Sequence, residues 1–232
     1  MYGSKSNLSF EVNNSMSDSS TGAAEFVPKT RSLAVLRQAV QHCRGCELYR
    51  RATQAVLGEI ESGAAPGSRA AMMMIGEQPG DKEDLAGRPF VGPAGKLLDR
   101  CLEQAEIDRN QVYITNAVKH FKWEQRGKIR LHKRPSVGEV SACRPWLDAE
   151  LEVVRPKLIV CLGAVAAQGL LGTRFKVTVS HGTEQHADGY PPIIATAHPA
   201  SILRAASHED RERQTAQFIS DLRRASEFLY NQ

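Results

Sequence analysis

The stretch AMMMIGEQPGD, residues 71–81, joins a short apolar run directly to a polar turn. The run shows no alternation between apolar and polar residues, which is typical of a strand buried on both faces. Such strands form parallel sheets covered by helices, and ligands bind beyond the carboxyl ends of their strands. We therefore expect residues 76–81 to lie at a binding site.

Three further apolar runs follow, and helical patterns separate them. The runs are residues 112–115, 158–162 and 193–196, and the helical stretches are 94–107, 137–154, 164–171 and 209–230. Ser136 and Glu139 form a candidate capping box for the second helix, and Gly172 is a candidate C-cap of the third. Because strands and helices alternate, we predict an α/β fold, a three-layer α/β/α sandwich with a central four-stranded parallel sheet.

The length and composition indicate one main domain. The chain has 232 residues, 41% of them hydrophobic, and a net charge of +4 that permits a polyanionic partner. Residues 1–30 are mostly small and polar, so we expect a disordered N-terminal arm before a domain over 31–232.

No run approaches the roughly 18 apolar residues that span a bilayer. Five cysteines, an odd number, suit a reducing compartment. We expect a cytoplasmic monomer without a membrane partner.

Functional residue types follow all four predicted strands. Residues 76–81 follow the first strand, Asn116 the second, Gly163 the third and His198 the fourth. Each residue alone is more often structural, as a turn, a cap or a satisfied histidine. Because the carboxyl ends of parallel strands share one edge of the sheet, their convergence predicts a polar cleft.

A strongly basic segment covers residues 119–134. It holds seven of the 30 basic residues and only one acid, Glu124, together with Phe121 and Trp123. Cations interleaved with aromatic residues suit phosphate contacts and base stacking, which favours nucleic acid over a merely solvated loop. His132 lies inside this segment, where positive charge favours the neutral, nucleophilic imidazole.

A CxxC pair, Cys43 and Cys46, follows the first helical pattern and is a candidate metal site. Candidates for the remaining ligands are His120, Cys143, Cys101 and Cys161. Cys101 and Cys161 lie in apolar patterns typical of the core, so Cys143 and His120 are the better candidates. Spacing alone leaves zinc and an iron–sulfur cluster both open.

Several of these motifs together resemble the iron–sulfur uracil-DNA glycosylases over residues 32–230. The motifs are GEQPGD at 76–81, GRPFVGPAG at 87–95, TNAVKH at 115–120 and HPASIL at 198–203. The GEQPG form and the basic insert KIRLH at 128–132 are most similar to the UdgX branch, whose members excise uracil and stay covalently attached to the DNA. In that branch the insert is closer to Lys-Arg-Arg-Ile-His, so Ile129 stands here in place of a basic residue.

The resemblance implies a metal cofactor and a fold. The fold is a four-stranded parallel sheet between helices, which agrees with the prediction from the apolar runs. The cofactor is a [4Fe–4S] cluster, with the ligands Cys43, Cys46, His120 and Cys143.

The resemblance also implies roles in binding uracil-containing DNA. Phe90 should stack on the extruded uracil, Asn116 should bind its Watson–Crick edge, and Gly76 and Gln78 should contact it. Phosphate contacts are expected from Ser201 and the basic insert, namely Lys128, Arg130, Lys133 and Arg134.

The chemical roles implied by the resemblance fall on two histidines and two acids. His198 should donate a hydrogen bond to uracil O2, and His132 should attack the sugar C1′. Glu77 and Asp81 should orient the imidazole or stabilise the cationic sugar. Two alternatives stay open: a turnover glycosylase that releases abasic DNA, and a non-catalytic nucleic-acid-binding module with a zinc-stabilised core.

Overall fold

The computed structural model describes residues 22–30, 32–60 and 70–230, of which Tyr230 is described by its backbone only. Two sheets contain the strands β1 (Glu59–Ile60), β2 (Met72–Gly76), β3 (Val112–Asn116), β4 (Trp123–Arg126), β5 (Ile129–His132), β6 (Leu158–Leu162), β7 (Glu184–Gln185) and β8 (Ile193–Thr196). The main sheet has the order β1-β3-β2-β6-β8-β7. Its four inner strands are parallel, which confirms the predicted sheet. Two-residue antiparallel strands extend it at both edges.

Helices cover both faces of the main sheet. They are α1 (Leu33–Ala39), α2 (Asp81–Ala86), α3 (Pro93–Gln104), α4 (Val137–Val154), α5 (Ala164–Leu171), α6 (Val177–Ser180), α7 (Pro199–Leu203) and α8 (His208–Tyr230), with 3₁₀ turns at Ala24–Phe26, Val40–His42, Glu47–Arg50 and Arg109–Gln111. The predicted capping box of α4 is present, since Ser136 and Glu139 bond each other's backbone N–H. Gly172 follows α5 at a φ of 92°, as its predicted C-cap. No described helix combines the length and the apolarity that crossing a bilayer requires.

The apolar run of β2 supplies both halves of the core. Met72 and Met74 pack in the cluster that contains α3 and α8. Met73 and Ile75 pack in the cluster that contains α4 and α5. Successive side chains of a strand point to opposite faces, so a strand covered on both sides needs a continuous apolar run.

The N-terminal boundary lies earlier than predicted. Residues 22–27 pack on the domain: Ala23 is buried, and its N–H donates to the carbonyl of Ala142 at 2.8 Å. Phe26 and Val27 pack on the same apolar cluster as Ala23. The apolar surface that they bury stabilises the contact of this segment with the domain. Residues 1–21 of the expected arm lie outside the described residues.

The basic segment forms a hairpin of its own. β4 and β5 pair antiparallel with each other, with His132 opposite Trp123, and within the described residues they pair with no strand of the main sheet. The hairpin begins a few residues after β3, and it therefore projects from the edge at which the predicted cleft lies.

Candidate active site

A pocket of about 220 Å³ lies at the carboxyl ends of the parallel strands. Its lining residues are Glu77, Gln78, Gly80, Glu83, Phe90, Ala94, Asn116, His132, His198, Ala200 and Arg204. The turns after β2 and β8 and the last residues of β3 and β5 all contribute to it. The structure thus brings together most of the predicted base-binding and catalytic residues.

Phe90 and Asn116 lie against Gly76 at the floor of the pocket. A Cβ atom at Gly76 would lie 2.4 Å from Asn116 Oδ1 and 2.8 Å from Phe90 Cζ, so only glycine fits there. Phe90 has a φ of 54°, which is strained for a bulky residue and is typical of functional sites. Asn116 Oδ1 is buried without a hydrogen-bond partner among the described residues. An unpaired buried acceptor is costly, so this atom is suited to a ligand donor.

His198 is held as a neutral ring with one defined tautomer. Burial, assisted by Arg204 and His132, lowers its pKa to about 4. Its Nδ1 accepts the N–H of Ala200 at 3.1 Å. The single proton of the neutral ring is therefore on Nε2, which makes Nε2 a donor. The ring also stacks near Phe90, with centroids 5.9 Å apart.

His132 faces Glu77 across the pocket. Its Nε2 lies 3.7 Å from Glu77 Oε1, which is too long for a hydrogen bond. Desolvation, together with Arg204, lowers the pKa of His132. Burial raises the pKa of Glu77, against the opposing effects of Arg134 and Arg204. Oε1 of Glu77 is buried and has no hydrogen-bond partner in the described part of the chain.

The Gln78 side chain brackets the base of the hairpin. Its Nε2 donates to the carbonyls of Lys122 at 3.2 Å and Lys133 at 3.0 Å, and its Oε1 accepts the N–H of Lys122 at 3.1 Å. The bond to Lys133 holds the residue next to His132, and the two bonds to Lys122 hold the other end of the hairpin. The amide is thus occupied by the hairpin, which leaves the backbone of Gln78 for the predicted contact with the base.

Arg130 anchors the inner face of the hairpin, and its contacts in the structure differ from those predicted for Arg130 and Asp81. Its guanidinium donates to Asp81 Oδ1 at 2.5 Å and to the buried Asp84 Oδ2 at 2.6 Å. Its side chain is only 18% exposed, so it is not available as a phosphate contact. Asp81 is not on the pocket wall and pairs with Arg130 instead of orienting His132.

The two aromatic residues of the basic segment also have a different role from the predicted one. Phe121 is 1% exposed, and the Arg130 guanidinium lies over both Phe121 and Trp123, at 5.4 and 5.5 Å from the ring centroids. The indole N–H of Trp123 donates to the carbonyl of Arg51. Phe121 is therefore too buried to stack on a base, and the partly exposed Trp123 supports the hairpin through its contacts with Arg51 and Arg130.

The remaining predicted phosphate contacts are on the surface. Lys128 is exposed at the tip of the hairpin, and Arg134 is exposed with its guanidinium near Gln168. Lys133 is half-exposed and paired with Glu124 at 2.8 Å. Ser201 is exposed but lies outside the pocket, and its hydroxyl donates to the carbonyl of His198.

Cys43, Cys46 and Cys143 lie together beneath the hairpin, in the cluster that packs α1 on α4. Burial raises the pKa of Cys143 to about 12 against the opposing effect of Lys119, and the other two thiols add to the rise. Backbone N–H of Lys119 donates to Cys143 Sγ at 3.3 Å, and Trp146 Nε1–H donates to Cys43 Sγ at 3.1 Å. N–H donors of this kind stabilise sulfur as thiolate, so the donor set fits a metal centre.

The fourth predicted ligand, His120, is buried, and burial lowers its pKa to about 4. The described residues contain no group of three or more His, Cys, Asp or Glu already in the arrangement of a metal site. Cys101 and Cys161 lie in the two main core clusters, as predicted. None of the five cysteines forms a disulfide.

Sequence reasoning missed two charged residues of the pocket. Arg204 lines it and lowers the pKa of both histidines. Glu83 is buried and accepts the N–H of Gly92 at 2.7 Å, which joins helix α2 to the start of α3. The position of Arg204 directly after the HPASIL motif was a usable signal, whereas nothing near Glu83 in the sequence indicated its contact.

Comparison with known proteins agrees with this geometry. The model of the uracil DNA glycosylase superfamily matches residues 63–223. The chain belongs to the uracil-DNA glycosylase superfamily. The type-4 uracil-DNA glycosylase of Thermotoga maritima is 32% identical over 198 residues, which cover 85% of this chain and 94% of that protein.

Two archaeal relatives agree with this assignment. The type-4 uracil-DNA glycosylases of Sulfurisphaera tokodaii and Archaeoglobus fulgidus are 34% and 35% identical over 74% of this chain, and the matches cover 76% and 83% of those proteins. The superfamily fold is therefore the one built here around β2, β3, β6 and β8.

Proposed function

We propose that this protein excises uracil from DNA and becomes covalently linked through His132 to the sugar C1′ of the resulting site. The observation that carries the proposal is that His132 lines the same pocket as His198, Phe90 and Asn116. A nucleophile, a hydrogen-bond donor and a base-binding floor are thus available to one extruded nucleotide.

Uracil recognition is assigned to the floor of the pocket. Asn116 Oδ1 accepts the N3–H of uracil, and this bond satisfies an oxygen that otherwise lacks a partner among the described residues. Phe90 stacks on the pyrimidine ring, and Gly76 allows the base to approach the strand closely.

Bond cleavage is assigned to His198. As the C1′–N1 bond breaks, its electron pair leaves with uracil, and negative charge develops on uracil O2. The neutral ring of His198 donates Nε2–H to that oxygen, because Nδ1 is occupied by Ala200. Solvent then supplies the proton that converts the uracil anion to neutral uracil.

Capture of the sugar is assigned to His132. Its lowered pKa leaves a lone pair on one ring nitrogen at neutral pH, and that lone pair forms the bond to C1′. The product imidazolium carries a positive charge beside Glu77, which stabilises it. The protein performs one turnover per chain.

A turnover glycosylase is a second candidate, and the environment of Glu77 favours it. A buried carboxylate oxygen without a described partner is suited to hold a water molecule as well as a cation. In that case water attacks C1′, and the protein releases abasic DNA. The relatives named above are type-4 uracil-DNA glycosylases, which is compatible with either outcome.

The cofactor that we propose is a [4Fe–4S] cluster held by Cys43, Cys46, His120 and Cys143. The thiols with their N–H donors support this assignment. The cluster supplies a crosslink between the segment after α1, the loop after β3 and helix α4. Cysteines without disulfides suit a reducing compartment, so we propose a cytoplasmic protein. We also propose that it acts as a monomer. Because an unpaired base is easier to extrude, we propose that it prefers single-stranded DNA.

A denaturing gel tests the central proposal. Wild-type protein incubated with uracil-containing single-stranded DNA should give a band that resists heat and detergent, and His132→Ala should abolish it. His186→Ala, which changes an exposed histidine away from the pocket, is the matched control and should leave the band unchanged. Abasic product exceeding one equivalent of protein would show turnover instead.

The cofactor is tested on the same preparation. An iron–sulfur protein is brown and absorbs broadly at about 400 nm. A colourless protein that retains one zinc and releases no uracil would favour a non-catalytic module.

A further inference from the structure

A second cavity, of about 410 Å³, lies beside the active-site pocket. The two share Glu77, His198 and Arg204 as wall residues. Whatever occupies the second cavity is therefore within reach of a group bound in the first. Its volume lies within the range of small-molecule sites, roughly 300–1,000 Å³.

His181 provides the cavity with a fixed hydrogen-bonding group. Its Nδ1 lies 3.0 Å from Oδ2 of Asp221, which is 2% exposed and also accepts bonds from Thr196 and Gln217. A carboxylate only accepts hydrogen bonds, so Nδ1 carries a proton. Because Nδ1 is held by Asp221, the other ring nitrogen, Nε2, is left for a ligand in the cavity, and in the ring form that carries a single proton it is an acceptor.

The fold keeps this pair together. A Cβ atom at Gly182 would lie 2.4 Å from Asp221 Oδ1, and the φ of Gly182 is 65°, so glycine is required beside the pair. The N–H of Gly182 donates to the carbonyl of Ala195 in β8. The mechanism proposed above uses neither His181 nor Asp221.

The rest of the lining combines apolar faces with positive charge. Val165, Val177 and Phe218 contribute apolar surface, and Arg134 and Arg204 contribute guanidinium groups. A nucleotide has the matching parts, because its base has apolar faces and a polar edge and its phosphate is anionic.

We propose that this cavity binds the nucleotide next to uracil in the DNA strand and that His181 reads its base. The proposal rests on the proposed function. Nε2 accepts a hydrogen bond from the exocyclic amino group that adenine and cytosine carry where guanine and thymine carry a carbonyl. Arg134 and Arg204 bind the connecting phosphate. The protein therefore prefers adenine or cytosine beside the uracil.

Single-stranded oligonucleotides with one uracil test this preference. Each of the four bases, or an abasic analogue, is placed next to the uracil, in one series on the 5′ side and in another on the 3′ side. In one of the series, wild type should release uracil roughly fivefold faster beside adenine than beside guanine, and beside cytosine than beside thymine, for one hydrogen bond.

Two variants locate the effect. His181→Leu removes the acceptor and should equalise adenine with guanine and cytosine with thymine, whereas His186→Leu should keep both differences. Ala164→Leu fills the cavity, since Ala164 is an exposed lining residue at the start of α5. It should slow release beside every base several-fold but not beside the abasic analogue. Thermal unfolding of each variant shows that the fold is retained.

The outcomes are distinct. Equal rates beside all four bases on both sides, or differences that persist in His181→Leu, would overturn the proposal while leaving uracil excision intact. If wild type releases no uracil from any strand, the proposed function itself fails, and the role of the second cavity fails with it.

Discussion

Nε2 of His132 lies 3.7 Å from Oε1 of Glu77, and the two residues come from different elements, the hairpin strand β5 and the turn after β2. The contact joins a neutral ring to a carboxylate that has no other described partner on that oxygen. An imidazolium formed by attack on C1′ would therefore appear next to a ready counter-charge.

Replacement of Glu77 by Gln should slow covalent capture. The substitution keeps the shape but removes the charge that stabilises the imidazolium, so we expect a loss of roughly tenfold or more in the capture rate. Quenched time points on a denaturing gel measure that rate. An unchanged rate would show that the carboxylate has no part in the capture step.

Capture should fall at acid pH. The pKa of His132 lies below the ordinary value of 6.5, so the ring is neutral above that pH and the rate should be flat there. The rate should decline only as the pH drops through the lowered pKa. Arg204→Gln removes one cause of the lowering, so the decline should begin at a higher pH than in wild type. A pH profile of single-turnover rates measures both, and identical profiles would contradict the effect of Arg204.

Stability should also fall at acid pH. The pKa of His198 is about 4 in the folded chain and 6.5 in the reference state. The unfolded chain therefore binds more protons between these values, and unfolding becomes easier as the pH drops below 6.5. Urea denaturation at pH 7 and pH 5 should show a smaller decrease in His198→Asn than in wild type.

Arg130 and Lys128 should behave differently when replaced by Ala. Arg130→Ala leaves the buried Asp84 without its guanidinium partner, so we expect a loss of about 2–4 kcal/mol in the free energy of unfolding and a strong loss of capture. Lys128 is exposed at the hairpin tip, and Lys128→Ala should keep stability while reducing the salt dependence of DNA affinity by about one unit of slope. Urea denaturation and a salt titration measure these effects; a stable Arg130→Ala protein would refute the anchoring role.

A methyl group at position 76 should block the base site. Gly76→Ala places Cβ 2.4 Å from Asn116 Oδ1 and 2.8 Å from Phe90 Cζ, so one of these groups must move. We expect uracil release to fall by roughly a hundredfold, about 3 kcal/mol in the barrier. Gly138→Ala, in the first turn of α4, is the matched control, because a Cβ atom there would lie 3.9 Å from the nearest neighbouring side-chain atom.

The main sheet and the position of the site were predictable because they depend on local pattern. The run 71–75 alternates between two core clusters, and that arrangement requires an unbroken apolar stretch. Ligands bind beyond the carboxyl ends of parallel strands, so the polar residues that follow these strands indicated the position of the site. Residues 22–27 escaped prediction because so short a segment has no periodicity of its own.

The hairpin was not predictable, because tertiary contacts hold it in place. Its strands, WEQR and IRLH, are short and charged, and the two apolar residues that alternate in IRLH, Ile129 and Leu131, are exposed rather than buried. Arg130 bonds Asp81 and Asp84 across 49 and 46 residues of sequence, distances that spacing rules do not cover. The same holds for His181 and Asp221, which are 40 residues apart. Arg130, for which the sequence predicted a phosphate contact, therefore holds the hairpin to these two carboxylates in the structure.

The independence of the β4–β5 ribbon from the main sheet bears on protein engineering. Within the described residues this hairpin pairs with no strand of the main sheet, so replacing the hairpin would leave every strand pairing of that sheet intact. Gln78, Asp81 and Asp84 hold it from outside. A graft of this ribbon onto another scaffold must therefore carry those three residues with it.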